Sequence, residues 1–302
     1  MSYSYNVSKF ITFSWMRNNI KILLESYFSQ KKSFSIQFPY LRIFFVFLRR
    51  LHRKNKNIFL NFSRTQEKYK KYINVRHQSV LMRKLGDVDM QLQRNKIVNI
   101  QLALPKIDQI VIQPGEIFSF WELVWKPTYK KWYLDGILIN HGWVATWVGW
   151  WLCQLSNLLY WMFLHLDVEI IERHRHSYDI FPDSGRVLPF ASWATVFFNY
   201  VDLRVKNTLD YPIQIKLWTD DKYVKWQILS DKPREFKFHV YEKFHTFIKS
   251  QWQYFRYNQI FRIKKKNWEI ISDDLILENF SPVKYEIDEK QIENKWYNLM
   301  KI

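Results

Sequence analysis

The sequence predicts an α+β protein: a basic helical N-terminal region, then a mixed domain in which a buried helix packs on a mainly antiparallel sheet. The helix is expected at about residues 152–166, where Leu155, Leu158 and Met162 recur at helical spacing. From residue 193 onward, short alternating runs rich in β-branched and aromatic residues are separated by turn residues, which indicates successive strands. Helices and strands segregated in this way are typical of the α+β class.

The first expected unit is residues 1–60, a basic and aromatic region that we interpret as one or two helices, loosely attached. Its apolar run at 41–48 is too short to span a bilayer and leads into a basic cluster at 49–56. Two interpretations stay open: a core helix with a solvated basic end, or peripheral contact with an anionic membrane. The membrane contact would use Arg49, Arg50, Arg53 and Lys54. Since no secretory signal is recognisable, we expect a cytoplasmic or membrane-peripheral location.

Residues 61–107 are expected to connect this region to the main domain. Residues 87–104 carry an apolar stripe at helical spacing, with Asp87 as a plausible cap and Pro105 near the end. The main domain, 108–287, begins with DQIVIQPGEIFSFWELV, which predicts strand, turn at Pro114-Gly115, and strand. Further strands are expected at 135–140, 168–174 and 257–287, and a C-terminal tail at 288–302.

Charge and composition limit the classes of function. The chain of 302 residues has a net charge of +18, which favours anionic partners such as nucleic acid, acidic lipid or cell-wall polymer. No helix-turn-helix, zinc or RNP signature supports nucleic acid, and no G-K-[ST] follows the Gly149 region, so a phosphate loop is not indicated. One cysteine excludes an internal disulfide. We expect no cofactor, no metal, and a cell-wall precursor or other anionic ligand as partner.

Tryptophan and glycine counts are both unusual. Glycine occurs 6 times, where average usage of about 7% predicts roughly 21, and tryptophan occurs 15 times. Asn267-Trp268 separates two predicted strands at a position where Asn-Gly would be the strongest hairpin signal, because a type I′ turn requires positive φ at both residues. Some tryptophans therefore stand where local structure asks for glycine.

Five segments, in this order and spacing, resemble the VanW family, whose name comes from a gene in a glycopeptide-resistance cluster. They are PGEIFSFWELV, YLDGILINHG, LCQLSNLLYW, ERHRHS and LRVKNTLDYPIQI. The resemblance covers about residues 87–287 and makes 108–287 a VanW-like domain. It implies a link to peptidoglycan or glycopeptide resistance without a defined reaction.

The family's loop before the cysteine resembles a run of glycines, whereas this chain has tryptophan at 147, 150 and 151. Some bacterial lineages read UGA as glycine, and another code reads it as tryptophan. We therefore hypothesise that many of these tryptophans stand at glycine positions because UGA was translated with the wrong table. The alternative is a genuinely tryptophan-rich variant, which UGG codons at Trp150, Trp151 and Trp268 would demonstrate.

With the glycines restored, the loop leads into a helix whose first turn carries Cys153. The amide N–H groups and dipole of a helix N-terminus lower a thiol pKa and bind anions, as a nucleophile with an oxyanion site requires. The expected ligand-binding loop consists of Gly149, Trp150, Trp151, Gln154 and Ser156, of which Gln154 and Ser156 are interpreted as helix-capping or loop-anchoring groups rather than as reacting groups.

A general base for Cys153 is expected from ERHRHS. His174 and His176 are two residues apart, so on a strand both would face the same way, together with Glu172. Arg173 and Arg175 are candidate anion contacts or a solvated face. These residues predict a Cys-His hydrolase or transferase acting by acyl transfer on a cell-wall-type amide.

Other interpretations remain open. Cys153 could be a small core residue, or one of three metal ligands with His174 and His176. The loop could hold an anionic ligand without catalysis, as a binding or scaffold module. Residues 142–164 carry no formal charge and could span a bilayer if the tryptophans are genuine, and the tryptophans could form a sugar-stacking platform.

Overall fold

The structure is a computed structural model that describes residues 2–29, 41–82, 90–140, 143–149, 152–180, 182, 187–289 and 298–302. Its contacts divide the chain into two compact units, Met1–His52 and Arg53–Ile302. Helices precede mainly antiparallel sheets, which confirms the predicted α+β class.

The first unit is helical. Helix α1 spans Ser2–Phe28, and helix α2, Arg42–Asn57, crosses the boundary between the units. Helix α2 contains no acidic residue, and Lys54 and Lys56 lie in its last turn, where cations interact favourably with the helix dipole.

The second unit contains three further helices and, among its described residues, thirteen strands. The helices are α3 (Met90–Ile107), α4 (Phe120–Val124) and α5 (Cys153–Phe163), with a 3₁₀ turn at Tyr129–Lys131. The strands are β1 (Tyr72–Val80), β2 (Val111–Ile112), β3 (Ile117–Ser119), β4 (Asp135–Asn140), β5 (Trp143–Val148), β6 (Glu169–Glu172), β7 (Arg204–Lys206), β8 (Ile213–Thr219), β9 (Tyr223–Ser230), β10 (Lys237–Ser250), β11 (Gln253–Lys266), β12 (Glu269–Pro282) and β13 (Asn298–Lys301).

These strands form four sheets. Their orders are β1-β9-β8-β2, β12-β11-β10-β13, β3-β7-β6 and β4-β5. All pairs are antiparallel except β10 with β13. Because β12, β11 and β10 follow one another in sequence, they form a meander with short turns.

Helix α5 lies in the core of the second unit. Leu155, Leu159 and Met162 are fully buried, and the helix packs on β1 and β9. This matches the helix expected at 152–166, and its apolar composition on nearly all sides is typical of a helix surrounded by protein.

The structure differs from the sequence-based expectation in three places. Helix α3 continues through Pro105 to Ile107, because a proline in the last turn interrupts only one backbone hydrogen bond; Asp87 lies outside the described residues. The second strand expected around Pro114-Gly115 ends at Ser119, because Ser119 caps helix α4 at Phe120–Val124, where the strand was expected to continue. Part of the expected C-terminal tail forms β13.

Candidate functional site

Cys153 is the first residue of helix α5. Its side chain is buried, and the preceding cap residue, Leu152, offers no side-chain hydrogen bond to the free amide groups of the first turn. The expected position of the thiol at a helix N-terminus is therefore present in the fold.

The thiol has two polar neighbours on the segment 194–196. Its sulfur lies 3.3 Å from Thr195 Oγ1 and donates to the Val196 carbonyl at 3.6 Å. Burial raises the pKa of the Cys153 thiol, and the hydrogen bond with Thr195 offsets this only in part. In this arrangement the group is therefore a protonated thiol near neutral pH.

The same segment is bound to the next turn of α5. Ser156 Oγ donates to the Ala194 carbonyl at 2.6 Å, and Asn157 Oδ1 accepts from the Ala194 amide at 3.0 Å. Gln154 points elsewhere, since its Nε2 donates to Ser79 Oγ at 3.1 Å and to the Val80 carbonyl at 2.9 Å. Gln154 and Ser156 therefore both anchor the helix, as the sequence indicated for these two members of the predicted loop.

The loop before the cysteine is described only at its edges. Gly149 has a φ of +70°, and its amide donates to the Leu134 carbonyl at 2.9 Å. A Cβ atom on Gly149 would lie 2.2 Å from Pro127 Cβ, so only glycine fits there. Trp150 and Trp151 lie outside the described residues.

His174 lies beside the thiol's polar neighbour. Its carbonyl accepts from the Thr195 amide at 2.8 Å in an isolated antiparallel bridge, which places both side chains on one face with Cβ atoms about 5 Å apart. On the other side, His174 Nε2 lies 3.5 Å from Glu172 Oε1. The order along this face is thiol, threonine, histidine and carboxylate.

His176 is partly buried beyond the end of β6. Burial lowers its pKa to about 4, with a smaller contribution from Arg173, so the ring is neutral at pH 7. Among the described residues, no hydrogen bond joins Cys153 to His174 or His176.

The two candidate anion contacts both bind protein groups. Arg173 donates to the Trp193 carbonyl at 2.7 and 2.9 Å and to the Ala191 carbonyl, and it lies over the Tyr160 ring. Arg175 donates to Ser281 Oγ at 3.0 Å. Burial lowers the pKa of both guanidinium groups.

Sequence reasoning placed Glu172 on the face of His174 but missed the charged cluster that surrounds this carboxylate. Glu172 accepts from Arg53 Nη2 at 3.0 Å and lies 3.4 Å from Arg204 Nε. Asp202 is fully buried and accepts from Ser119 Oγ at 2.6 Å and Arg204 Nε at 3.0 Å. Burial raises the pKa of Asp202, while Ser119 and Arg204 oppose the increase. The cluster holds Glu172 in place, and Glu172 rather than Asp202 is the carboxylate that lies next to His174.

Two absences apply to the part of the chain that the structure describes. No cluster of three or more His, Cys, Asp or Glu side chains could hold a metal there. In the same residues, no helix combines the length and apolar character needed to cross a membrane.

The fold and the site together define a class: an α+β domain that holds one thiol at the N-terminus of a buried helix, with a threonine, a histidine and a carboxylate beside it. The family model described as VanW like protein matches residues 95–229. Vancomycin B-type resistance protein VanW of Enterococcus faecalis (strain ATCC 700802 / V583) is 31% identical over 203 residues, 67% of this chain and 74% of that protein. The chain belongs to the VanW family.

A second relative is similar over a shorter part. Uncharacterized protein YoaR of Bacillus subtilis (strain 168) is 30% identical over 118 residues, which is 39% of this chain and 37% of that protein. No solved structure matches the chain.

Proposed function

We propose that this VanW-family protein acts in the response to glycopeptides of the vancomycin type, by thiol-dependent acyl transfer or hydrolysis on a cell-wall-type amide. One observation carries the chemistry: the Cys153 sulfur lies 3.3 Å from Thr195 Oγ1, and Thr195 is paired in the backbone with His174. The link to vancomycin comes from the name of the Enterococcus relative.

In the proposed reaction His174 takes the thiol proton through the Thr195 hydroxyl. The Cys153 sulfur then forms a bond to the amide carbonyl carbon, and amide N–H groups of the first turn of α5 stabilise the oxyanion. The C–N bond breaks and the amine leaves with the proton from His174. Water, or a second amine, then releases the acyl group from the sulfur. Glu172 orients the imidazole and stabilises its protonated form.

The raised pKa of Cys153 sets a condition on this chemistry. Because the thiol is buried and donates to the Val196 carbonyl, this hydrogen bond has to open before substrate reaches the sulfur, while the backbone bond between Thr195 and His174 keeps the hydroxyl beside the thiol. We expect ligand binding at the loop before α5 to drive this opening.

A second candidate is a non-catalytic binding module. The buried, protonated thiol favours it, because a small core residue would have the same surroundings. In this case the loop at Gly149 and the N-terminus of α5 would hold an anionic cell-wall ligand, and Cys153 would only pack.

Cys153→Ser and Cys153→Ala separate the two candidates. We expect a thioester adduct of a peptidoglycan stem peptide on the native protein, seen by intact mass, and no thioester in either variant at unchanged thermal stability. If both variants keep full acyl-transfer or hydrolytic activity, catalysis by the thiol is excluded. If both variants also bind the stem peptide with unchanged affinity in calorimetry, the binding module is the candidate that is left.

Two matched pairs test the relay. Thr195→Val keeps the shape and removes the hydroxyl, whereas Thr195→Ser keeps the hydroxyl; only the first is expected to lose activity, by about 10²-fold or more. His174→Gln is expected to be inactive and His176→Gln active. If His174→Gln keeps activity and His176→Gln loses it, the base would be His176 instead.

A further inference from the structure

Helix α2 has a surface that does not depend on the chemistry proposed for Cys153. The helix spans Arg42–Asn57 with the sequence RIFFVFLRRLHRKNKN, which contains both large apolar residues and basic residues but no acid. An amphipathic helix of a folded domain normally turns its apolar side towards the protein and its charged side towards water.

The last residues of α2, from Arg53 onward, belong to the second unit and make polar contacts within it. Arg53 forms a bidentate hydrogen-bonded contact with the Glu172 carboxylate and donates to the Tyr200 carbonyl at 3.0 Å. Asn57 Nδ2 donates to Glu122 Oε1 at 2.8 Å. The inward-facing side chains of this part are therefore polar, and Arg53 is engaged by protein.

Four apolar residues of α2 lie on the side of the helix away from Arg53. Phe44, Phe47, Leu48 and Leu51 are 55%, 55%, 43% and 42% exposed, and they are spaced i, i+3, i+4, i+7. At about 100° per residue, Phe44 and Leu51 lie roughly 160–180° around the helix from Arg53. The stripe continues past the helix end in Ile58 and Phe59, which are 66% and 90% exposed. Exposure of these apolar side chains to water is unfavourable in free energy.

Two exposed cations, Arg50 and Lys54, border this stripe on the side of Phe47. Lys56 lies further round the helix beyond Leu48, and Arg49 lies one turn before Arg53 on the same side. Basic side chains that border an apolar stripe suit an anionic bilayer, because the aromatic and leucine side chains enter the acyl boundary while the cations stay among the headgroups. The 16 residues span about 24 Å, and the polar side of the helix would not tolerate the hydrocarbon core.

We propose that α2 is an in-plane membrane anchor: Phe44, Phe47, Leu48 and Leu51 insert into an anionic lipid surface, and the flanking cations bind its headgroups. Arg53 is excluded from the lipid contact because Glu172 binds it. Nucleic acid fits less well, since it has no apolar layer to receive the stripe.

Vesicle flotation of the full chain tests the anchor. We expect binding to phosphatidylcholine vesicles that contain phosphatidylglycerol, much weaker binding to pure phosphatidylcholine, and a decrease with added salt. Arg50→Gln with Lys54→Gln should weaken binding by about fivefold for each charge removed. Phe47→Ser with Leu51→Ser should weaken it by more than about tenfold.

Matched controls remove similar groups elsewhere. Ile270→Ser with Leu275→Ser removes two comparably exposed apolar side chains from β12, and Lys68→Gln with Lys222→Gln removes two exposed charges; both pairs should bind vesicles like the native protein. Absence of vesicle binding, or equal loss in the control pairs, would overturn the proposal. So would self-association without vesicles that only the Phe47/Leu51 variant abolishes, since the stripe would then be a protein interface.

Discussion

Three tryptophans adopt a backbone conformation that favours glycine. Trp125, Trp132 and Trp268 have φ of 61°, 66° and 73°. For an L-residue with a bulky side chain, this left-handed region costs about 1–2 kcal/mol. Asn267 also has positive φ, so the two-residue turn between β11 and β12 has the backbone signs of a type I′ turn, as the sequence predicted. These angles support the hypothesis that the positions belong to glycine.

Trp226 carries an unpaired polar atom inside the core. It is fully buried in β9, and its indole N–H has no hydrogen-bond partner. The unpaired donor costs about 1–3 kcal/mol, but the same ring fills core volume that a glycine would leave empty, so this position does not favour glycine on energetic grounds. The codons at these positions decide the question directly.

The first prediction concerns Trp268. We expect Trp268→Gly to raise the free energy of unfolding by roughly 0.5–1 kcal/mol, because relief of the positive-φ strain exceeds the loss of the exposed contact with Lys237. Urea denaturation measures it. Trp252→Gly is the matched control, since Trp252 is equally a solvent-exposed tryptophan in a hairpin turn but its φ is not positive. A similar gain in both variants would contradict the strain argument.

The second prediction concerns His176, whose pKa is lowered by burial to about 4 from its ordinary 6.5. Between these values the unfolded chain binds a proton that the folded chain does not, so stability contributed by the neutral ring is lost as pH falls from about 6.5 to 4. We expect His176→Gln to flatten this part of a plot of unfolding free energy against pH. An unchanged slope would show that other groups cause the acid destabilisation.

At the scale of elements, the local sequence pattern predicted where helices and strands lie better than it predicted which strands pair. Helix α5 and strand β4 were expected from spacing and composition, and both formed close to their predicted bounds. The partners of β2 and β3 were not predictable, because a tight turn between two strands gives the same local signal whether or not they pair. Thr195 carried no signal either, since its contact with Cys153 depends on chain folding across 42 positions.

The third prediction compares two glycines in turns. Gly149→Ala should destabilise the protein by about 2–4 kcal/mol, because the new Cβ would collide with Pro127 in addition to the strain at φ +70°. Gly115→Ala should cost only about 1 kcal/mol, since its φ is +82° but nothing lies within 4 Å of the new atom. Thermal or urea unfolding measures both. Equal losses would show that the contact between Gly149 and Pro127 relaxes freely.

At the scale of the whole chain, the candidate site draws on segments far apart in sequence. Cys153, Thr195 and His174 come from a helix, a loop and the end of a strand, and Arg53 reaches Glu172 across 119 positions. Residue types alone indicated the thiol and the histidines, because few residues have that chemistry. The supporting charges could not be predicted, because Arg53 and Asp202 resemble any other charged residue in the sequence until folding buries them.

The fourth prediction tests how the segment after His176 is joined to the β10–β12 meander. Asp179 is buried, and its Oδ2 accepts from Arg256 Nη1 at 3.1 Å and from Tyr285 Oη at 3.1 Å. Removing Asp179 takes the hydrogen-bonded carboxylate from a buried guanidinium, so we expect Asp179→Ala to lower the free energy of unfolding by about 3–5 kcal/mol.

The matched control for Asp179→Ala is Asp210→Ala. Asp210 lies the same 3.1 Å from Lys232, but both side chains are exposed, 79% and 58%, so water and salt already screen the pair. Little measurable change is expected from this variant in urea unfolding at moderate salt. Equal and small effects of the two variants would show that the meander relaxes around Arg256. Because Arg175 and Asp179 both bind to the meander, through Ser281 and Arg256, loss of the Asp179 pair should also loosen the approach to His174 and Thr195, visible as faster alkylation of Cys153.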